Sequence, residues 1–280
     1  MRSLDPLPLP PDHSFPGLFG PKPDHDYLAR VDVYPFEADA SGWSTVNAWR
    51  LADVSLLAYV REAARIEEVL HAAGDPDVAV VERESTRAVV AADARTCVVA
   101  FRGTVPEDFE NLRTDLRFTL DDEAGGGRVH RGFRRAFALV EDDLRAVLDR
   151  LAPGRRVWWT GHSLGGALAT IGATLVAGAH GLVTFGTPRV GDAAFAARRP
   201  VPGLRVVNGS DFVPDLPPPI GYVHAGTLFW IGPDGELHRD PGLRRRLEGS
   251  WRGHEARLRE AVGRWRRGER AGVVWDALVD

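Results

Sequence analysis

The stretch Arg155-Arg-Val-Trp-Trp-Thr-Gly-His-Ser-Leu-Gly-Gly-Ala-Leu-Ala169 decides the fold. Its first half is a short apolar run closed by Gly161, and its second half opens a row of small residues that continues to about Ala177. The first half reads as a buried strand and the second as a helix. Gly161-His-Ser-Leu-Gly165 therefore falls on the turn between them. Strand, sharp turn and helix is the setting in which a G-x-S-x-G sequence lifts a serine hydroxyl into a cleft. Gly161 and Gly165 have no Cβ to obstruct the close backbone approach such a turn imposes. Gly166 and Ala167 let the helix settle against the strand. The backbone N–H of Leu164 falls at the positive end of that helix, where it can hold a developing oxyanion. Ser163 is the expected nucleophile.

Outward from this turn, strands alternate with helices. Upstream, Leu51, Val54, Leu57 and Ala58 recur at helical spacing within Trp49–Tyr59, and a second helix is expected over Glu62–His71, stopped at Gly74-Asp-Pro76. Short β-rich runs follow at Val78–Val81, Ala88–Ala92 and Thr96–Phe101. Residues 121–127 read as a turn, and one amphipathic helix is expected from about Gly132 to Leu151. Downstream, strands are expected at Leu182–Phe185 and Leu204–Asn208, a short helix near Ala193–Ala197, a β-like run over Tyr222–Ile231, and a late helix from about Glu255 to Arg266. The alternation predicts a mostly parallel central sheet with helices on both faces, and the G-x-S-x-G elbow set in it points to the α/β-hydrolase fold. Residues 1–40, rich in proline, are expected to form an extended segment, and 41–280 a single catalytic domain.

Composition bounds the function. The 280 residues are 44% hydrophobic and 26% charged, enough apolar material for a sizeable core. A net charge of −4 gives no general attraction to nucleic acid. No run of about 20 apolar residues is present, so no integral membrane segment is expected. The N-terminus carries no continuous apolar leader, and Lys22 is the single lysine beside many arginines. Those two features lead us to expect a cytoplasmic, bacterial protein. Cys97, the lone cysteine, excludes an intrachain disulfide and reads as a small buried hydrophobe.

A serine hydroxyl becomes a useful nucleophile when an imidazole removes its proton and a carboxylate orients that imidazole. In this fold the order is serine, acid, histidine. For the acid, Asp211 follows the strand Leu204–Asn208, at the carboxyl edge where such sites assemble. Asp192 looks like a helix cap, and Asp215 leads into a proline run. For the base, His254 immediately precedes a helix, His224 lies in a strand-like run, and His238 lies in a polar turn or hairpin edge. His180 is placed at the end of the elbow helix. No cofactor or metal is needed; the expected partner is a small ester or lipid substrate.

The blocks GHSLGGALA at 161–169, TFGTPRVGDAAFA at 184–196 and RVVNGSDFVPDLPP at 205–218 resemble the class 3 (fungal-type) lipases, in that family's order. NAWRLADVSLLAY at 47–59, VVAFRGT at 98–104, VHRGFRRAF at 129–137 and YVHAGTLFWI at 222–231 resemble further blocks. The resemblance implies a serine carboxylic ester hydrolase with a Ser163–Asp211–His254 triad working through an acyl-enzyme. It also implies an oxyanion hole from Thr104 and Leu164, and a lid after Thr104 whose lipophilic residues are Val105, Phe109 and Leu112. His224 matches a non-catalytic histidine of the family. Around His254, the sequence Trp251-Arg-Gly-His-Glu-Ala-Arg-Leu258 lacks the family's aspartate before the histidine and its tyrosine after. The competing readings are a long-chain triacylglycerol lipase or phospholipase with interfacial activation, and a non-catalytic binding relative.

Overall fold

Adjacent residues of the apolar runs point to opposite sides of a strand, so a run that is apolar throughout must be covered on both faces. The computed structural model describes residues 25–103, 119–209, 211–232, 235–242 and 245, and every apolar run within them behaves this way. Eight strands form one sheet in the order β1 (Asp77–Arg83), β2 (Thr86–Ala92), β3 (Thr96–Phe101), β6 (Arg156–His162), β7 (Ala179–Phe185), β8 (Gly203–Asn208), β9 (Thr227–Ile231) and β10 (Leu237–Arg239). Strands β3, β6, β7, β8 and β9 run parallel, while β1, β2 and β10 are antiparallel to their neighbours. A separate hairpin, β4 (Leu120–Asp122) and β5 (Arg128–His130), carries residues 123–127 as its turn. The fold is that of an α/β-hydrolase.

The two faces divide the strand residues by parity. Cys97, Val99 and Phe101 of β3 and Trp159 of β6 join one core with α3 (Arg131–Ala138), α4 (Glu141–Leu151) and α5 (Leu164–Leu175). Val98, Ala100 and Trp158 join the other with α1 (Thr45–Leu57) and α2 (Ala63–Ala72). In the first core the Phe101 ring stacks on Trp159 at 6.3 Å and leans on Phe137 at 6.0 Å. The second is extended by residues 25–43, which bring Leu28 into it and pack Tyr27, Phe36 and Trp43 against it. A buried Arg50–Asp75 pair, with Nη2 donating to both carboxylate oxygens at 3.0 and 2.9 Å, ties α1 to the turn after α2.

Several elements differ from expectation for local reasons. Helix α1 begins at Thr45 because the Ser44 side chain caps it, accepting from Asn47 N–H at 3.1 Å. The single helix expected over 132–151 is broken at Leu139–Val140. Glu141, Asp142 and Asp143 crowd the first turn of α4, where acidic groups suit a fresh helix start. His180 lies in β7, since α5 already ends at Leu175. The β-like run over 222–231 narrows to β9, because Gly226 at φ +104° turns the chain and leaves Val223 in an isolated bridge to Gly191. The late helix expected at 255–266 lies outside the described residues. No described helix is long and apolar enough to cross a membrane.

Leu144 is fully buried, whereas Leu139 is 37% exposed at the break between α3 and α4. Leu144→Ala is expected to cost about 2–5 kcal/mol in urea unfolding, and Leu139→Ala less than about 1 kcal/mol.

Candidate active site

Strand β6 delivers His162 at its last position, and α5 begins at Leu164, so the chain must reverse on Ser163 alone. Ser163 does this at φ 55°, ψ −127°, a conformation that side-chain-bearing residues seldom adopt and that persists only when its surroundings enforce it. The enforcement is visible. Ser163 N–H donates to the Phe185 carbonyl of β7 at 2.9 Å, and the Ser163 carbonyl accepts from Gly166 N–H at 3.0 Å. The elbow presses backbone on backbone: a Cβ on Gly161 would stand 2.3 Å from the Gly165 carbonyl carbon, and one on Gly165 2.2 Å from the Phe101 oxygen. Ser163 occupies the N-cap position of α5 but makes no side-chain cap bond. Its hydroxyl thus stands at the positive end of α5 without being used to hold the helix. Leu164 is the first helical residue, its N–H one of those that a helix start leaves without an intrahelical partner and its side chain packed on the first core.

Asp211 arrives at the same sheet edge from β8. Its N–H donates to the Asn208 carbonyl at 3.0 Å and its Oδ1 accepts from Val213 N–H at 3.0 Å, which fixes the carboxylate's orientation. Oδ2 then lies 2.6 Å from the place a Cβ on Gly186 would take. Gly186, at φ +54°, follows β7 directly and donates its N–H to Val206 of β8 at 2.9 Å. The backbone from Phe185 to Gly186 therefore joins the Ser163 and Asp211 positions. Of the other acids, Asp192 caps α6 (Ala193–Ala197) through Phe195 N–H, and Asp215 is exposed in a 3-10 turn, Val213–Asp215.

Five of the described histidines, His224, His238, His130, His180 and His162, have structural partners. His224 Nε2 lies 2.8 Å from the Pro214 carbonyl; His238 sits on β10 against Trp230 and Arg245; His130 caps α3, its Nδ1 accepting from Phe133 N–H at 3.3 Å. His180 packs edge-on against Trp158, near the start of β7 and away from the elbow. His162 Nδ1 lies 3.0 Å from the Tyr59 hydroxyl, and the Tyr59 oxygen also accepts from Gly103 N–H. Burial pushes the His162 and His130 imidazoles down to about 4 and raises the Tyr59 phenol. At neutral pH all three are therefore uncharged. The expected base His254, the oxyanion residue Thr104 and the lid residues Val105, Phe109 and Leu112 lie outside the described residues.

Three residues of this edge escape a reading of the sequence alone. Gly186 makes room for the Asp211 carboxylate, Tyr59 joins the end of α1 to the elbow, and Gly103 brings the exit of β3 against Tyr59. Gly186 carried a usable signal, being a glycine placed directly after an apolar run, as Gly161 is within β6. Tyr59 carried none, because its partners are distant in sequence. Among the described residues no cluster of histidine, cysteine and carboxylate could hold a metal ion.

Comparison with known proteins places these features. The family model described as Lipase (class 3) matches residues 98–220. A lipase of Rhizomucor miehei is 38% identical over 154 residues, covering 49% of this chain and 42% of that protein. The secreted mono- and diacylglycerol lipase 1 of Fusarium solani is 36% identical over 156 residues, covering 51% of this chain and 46% of that protein. The chain thus spans less than half the length of either curated relative. The solved triacylglyceride lipase of Rhizomucor miehei superposes with a TM-score of 0.52 at 34% identity, covering 59% of this chain and 69% of that one. These matches overturn the expectation of a cytoplasmic, bacterial protein, since the relatives are fungal and one is named as secreted. That expectation rested on the absence of a continuous apolar leader in the N-terminal residues and on a preference for arginine, and the relatives' names and organisms stand against it.

Both imidazoles titrate lower in the folded chain, at about 4, than the ordinary 6.5 of an unfolded one. Between those values the unfolded state binds more protons, so stability should fall as pH drops through 6.5 toward 4 and level off below. Urea midpoints at pH 7.5 and 4.5 would measure this, and His162→Gln should flatten part of the slope. Gly165→Ala, which drives a methyl into the Phe101 carbonyl, should lower the melting temperature by several degrees.

Proposed function

The chain belongs to the class 3 lipase family, and on that premise we propose that it is a serine carboxylic ester hydrolase, built as a single catalytic domain, acting on small or lipid esters. The observation that carries this reading is the Ser163 elbow. A serine held in a strained turn at a helix's positive end, its hydroxyl free of capping and its neighbour strand leading to a fixed carboxylate, is arranged for nucleophilic attack.

In this proposal His254 removes the Ser163 proton, and Ser163 Oγ attacks the ester carbonyl carbon. The Leu164 N–H and Thr104 hold the resulting oxyanion. The tetrahedral intermediate collapses, the alcohol leaves with a proton from His254, and water repeats the sequence on the acyl-enzyme to release the acid. Asp211 orients the imidazole and stabilises its charged form. The Val213 N–H donated to Asp211 Oδ1 supports this role, because it holds the carboxylate in a fixed orientation at the edge near Gly186. The relatives' names, a lipase and a mono- and diacylglycerol lipase, favour an acylglycerol ester, the substrate of the interfacial reading. Against it stands the acidic segment after Thr104, where Glu107, Asp108, Glu110 and Asp115 surround only three apolar candidates for an interfacial face.

Ser163→Ala should lower p-nitrophenyl ester turnover by on the order of 10³-fold or more and abolish labelling by a fluorophosphonate probe. Unchanged turnover in that variant would remove the proposal; an unlabelled wild-type serine would favour a binding relative. Rates on esters of increasing acyl length, with and without an emulsion, should peak at short soluble chains if the acidic segment limits interfacial activation.

A further inference from the structure

On the face of the sheet covered by α1 and α2, the strands change from apolar to charged within one step at the carboxyl end of β3. Val80, Val89 and Ala100 stand in line across β1, β2 and β3 and pack with the second core. The next positions on the same face are Glu82, Arg87 and Arg102. Arg87 is paired with Glu82 across the β1–β2 ladder, and Arg102 N–H donates to the Arg87 carbonyl at 3.0 Å, which extends the row to the chain leaving β3. The side chains follow the backbone. Arg87 Nη2 and Arg102 Nη1 both reach the Glu82 carboxylate, at 2.8 and 3.2 Å, so one carboxylate serves two neighbouring guanidiniums.

For stability alone this is a poor use of three positions. Arg87 is 5% exposed, and its Nε, like that of Arg102, is buried without a hydrogen-bond partner among the described residues. Burial and the Arg87 charge beside it both push the Arg102 guanidinium below its ordinary pKa. Apolar residues of similar volume would continue the core here, and such replacements commonly match or exceed a buried ion pair in stability. A chain departs from a local optimum of this kind where function fixes the shape.

The row holds both ends of one contact beside the elbow. Gly103 N–H donates to the Tyr59 hydroxyl, which lies 3.0 Å from His162 Nδ1. On the Gly103 side, Arg102 Nη2 donates to the Ser85 carbonyl of the β1–β2 turn at 2.8 Å. On the Tyr59 side, Arg87 donates through Nη1 to the Val60 carbonyl and through Nη2 to the Arg61 carbonyl at 3.1 Å. The approach is close, since a Cβ on Gly103 would stand 2.6 Å from the His162 carbonyl oxygen. We infer that Arg102 and Arg87, joined by Glu82, are positioning residues that fix Gly103 against the elbow, an assignment that rests on ester hydrolysis at Ser163. Thr104, the proposed oxyanion residue, follows Gly103 directly in the sequence. An oxyanion donor acts only if it is already in place when charge develops, and a shift of about 1 Å in such a group can cost on the order of 10²-fold in rate.

The test compares Arg102→Met and Glu82→Gln with the full wild-type chain in p-nitrophenyl ester turnover, each rate divided by the serines that a fluorophosphonate labels at completion. Arg102→Met should lose about tenfold or more in kcat per labelled serine, with KM within about twofold and a melting temperature no lower than that of the wild type. Glu82→Gln alters a side chain that is 39% exposed, so it should fold as the wild type does. It should lose kcat in the same direction by less, because the two guanidiniums then face each other without their shared charge. A purely structural part would lower the melting temperature and the number of labelled serines while leaving turnover per labelled serine unchanged, and that result would overturn the assignment. So would a rise in KM at constant kcat. Should Arg102→Met not fold, Glu82→Gln decides the matter, an unchanged kcat per labelled serine refuting the role. A wild-type chain that is neither labelled nor active would remove the hydrolase reading itself, whereas an active, labelled wild type with unaffected variants removes the positioning role alone.

Discussion

The first turn of α5 rests on the ends of β3 and β6 with no side chain in between, and the rest of the candidate site depends on that contact. Gly161 meets Gly165, and Gly165 meets Phe101, at distances that admit hydrogen atoms and nothing larger. With the helix start held so close, Ser163 has no helical or extended conformation open to it and takes φ 55° instead. The strain is offset by the two cores on either side of the sheet, which fix β3 and β6 through Phe101, Trp158 and Trp159. Core packing on both faces is thus the means by which one serine is held out of its preferred backbone geometry.

Beneath the elbow the chain uses neutral polar groups where charges would be costly. Tyr59 reaches from the end of α1 to His162 and to the exit of β3 at Gly103, linking three segments through one hydroxyl. Charge is kept one step further out. Arg87 donates to the Val60 and Arg61 carbonyls and pairs with Glu82, and Arg102 also pairs with Glu82. This cluster pins the segment after α1 to the end of β3. Deformation of the β3 exit is therefore resisted both by the Tyr59 hydroxyl and by an ion-pair network on its flank.

The central parallel strands were legible because a strand covered on both faces reads as a short apolar run, rich in Val, Leu and aromatic residues and bounded by glycine or polar residues. β3 and α6 appear with the bounds the residues suggest, and β6 through β8 within one to three residues of them. The break between α3 and α4 was hidden, since Phe133, Phe137, Leu144 and Leu148 keep apolar spacing across it and only the acidic triplet at 141–143 marks a new start. The elbow could be read because its chemistry is local to five residues. Asp211 could be placed because it follows a strand. Tyr59 could not, because its partner lies about 100 positions away and only the folded chain brings it near, while the glycine after β7 marked Gly186 without showing that Asp211, about 25 positions on, fills the space beside it.

The strand order has a consequence for how the chain reaches this state. Leaving aside the β4–β5 hairpin, every strand of the large sheet lies beside its nearest neighbours in sequence, with no strand inserted later between two earlier ones. The sheet can therefore grow from the β1–β2–β3 meander outward by adding one strand at a time to an existing edge, each closure spanning only the intervening helix or loop. Parallel sheets assembled by late insertion must hold open an unpaired slot while distant chain is recruited. Among the described strands no such slot is required, and an emerging chain can bury each of them in the order in which it is made.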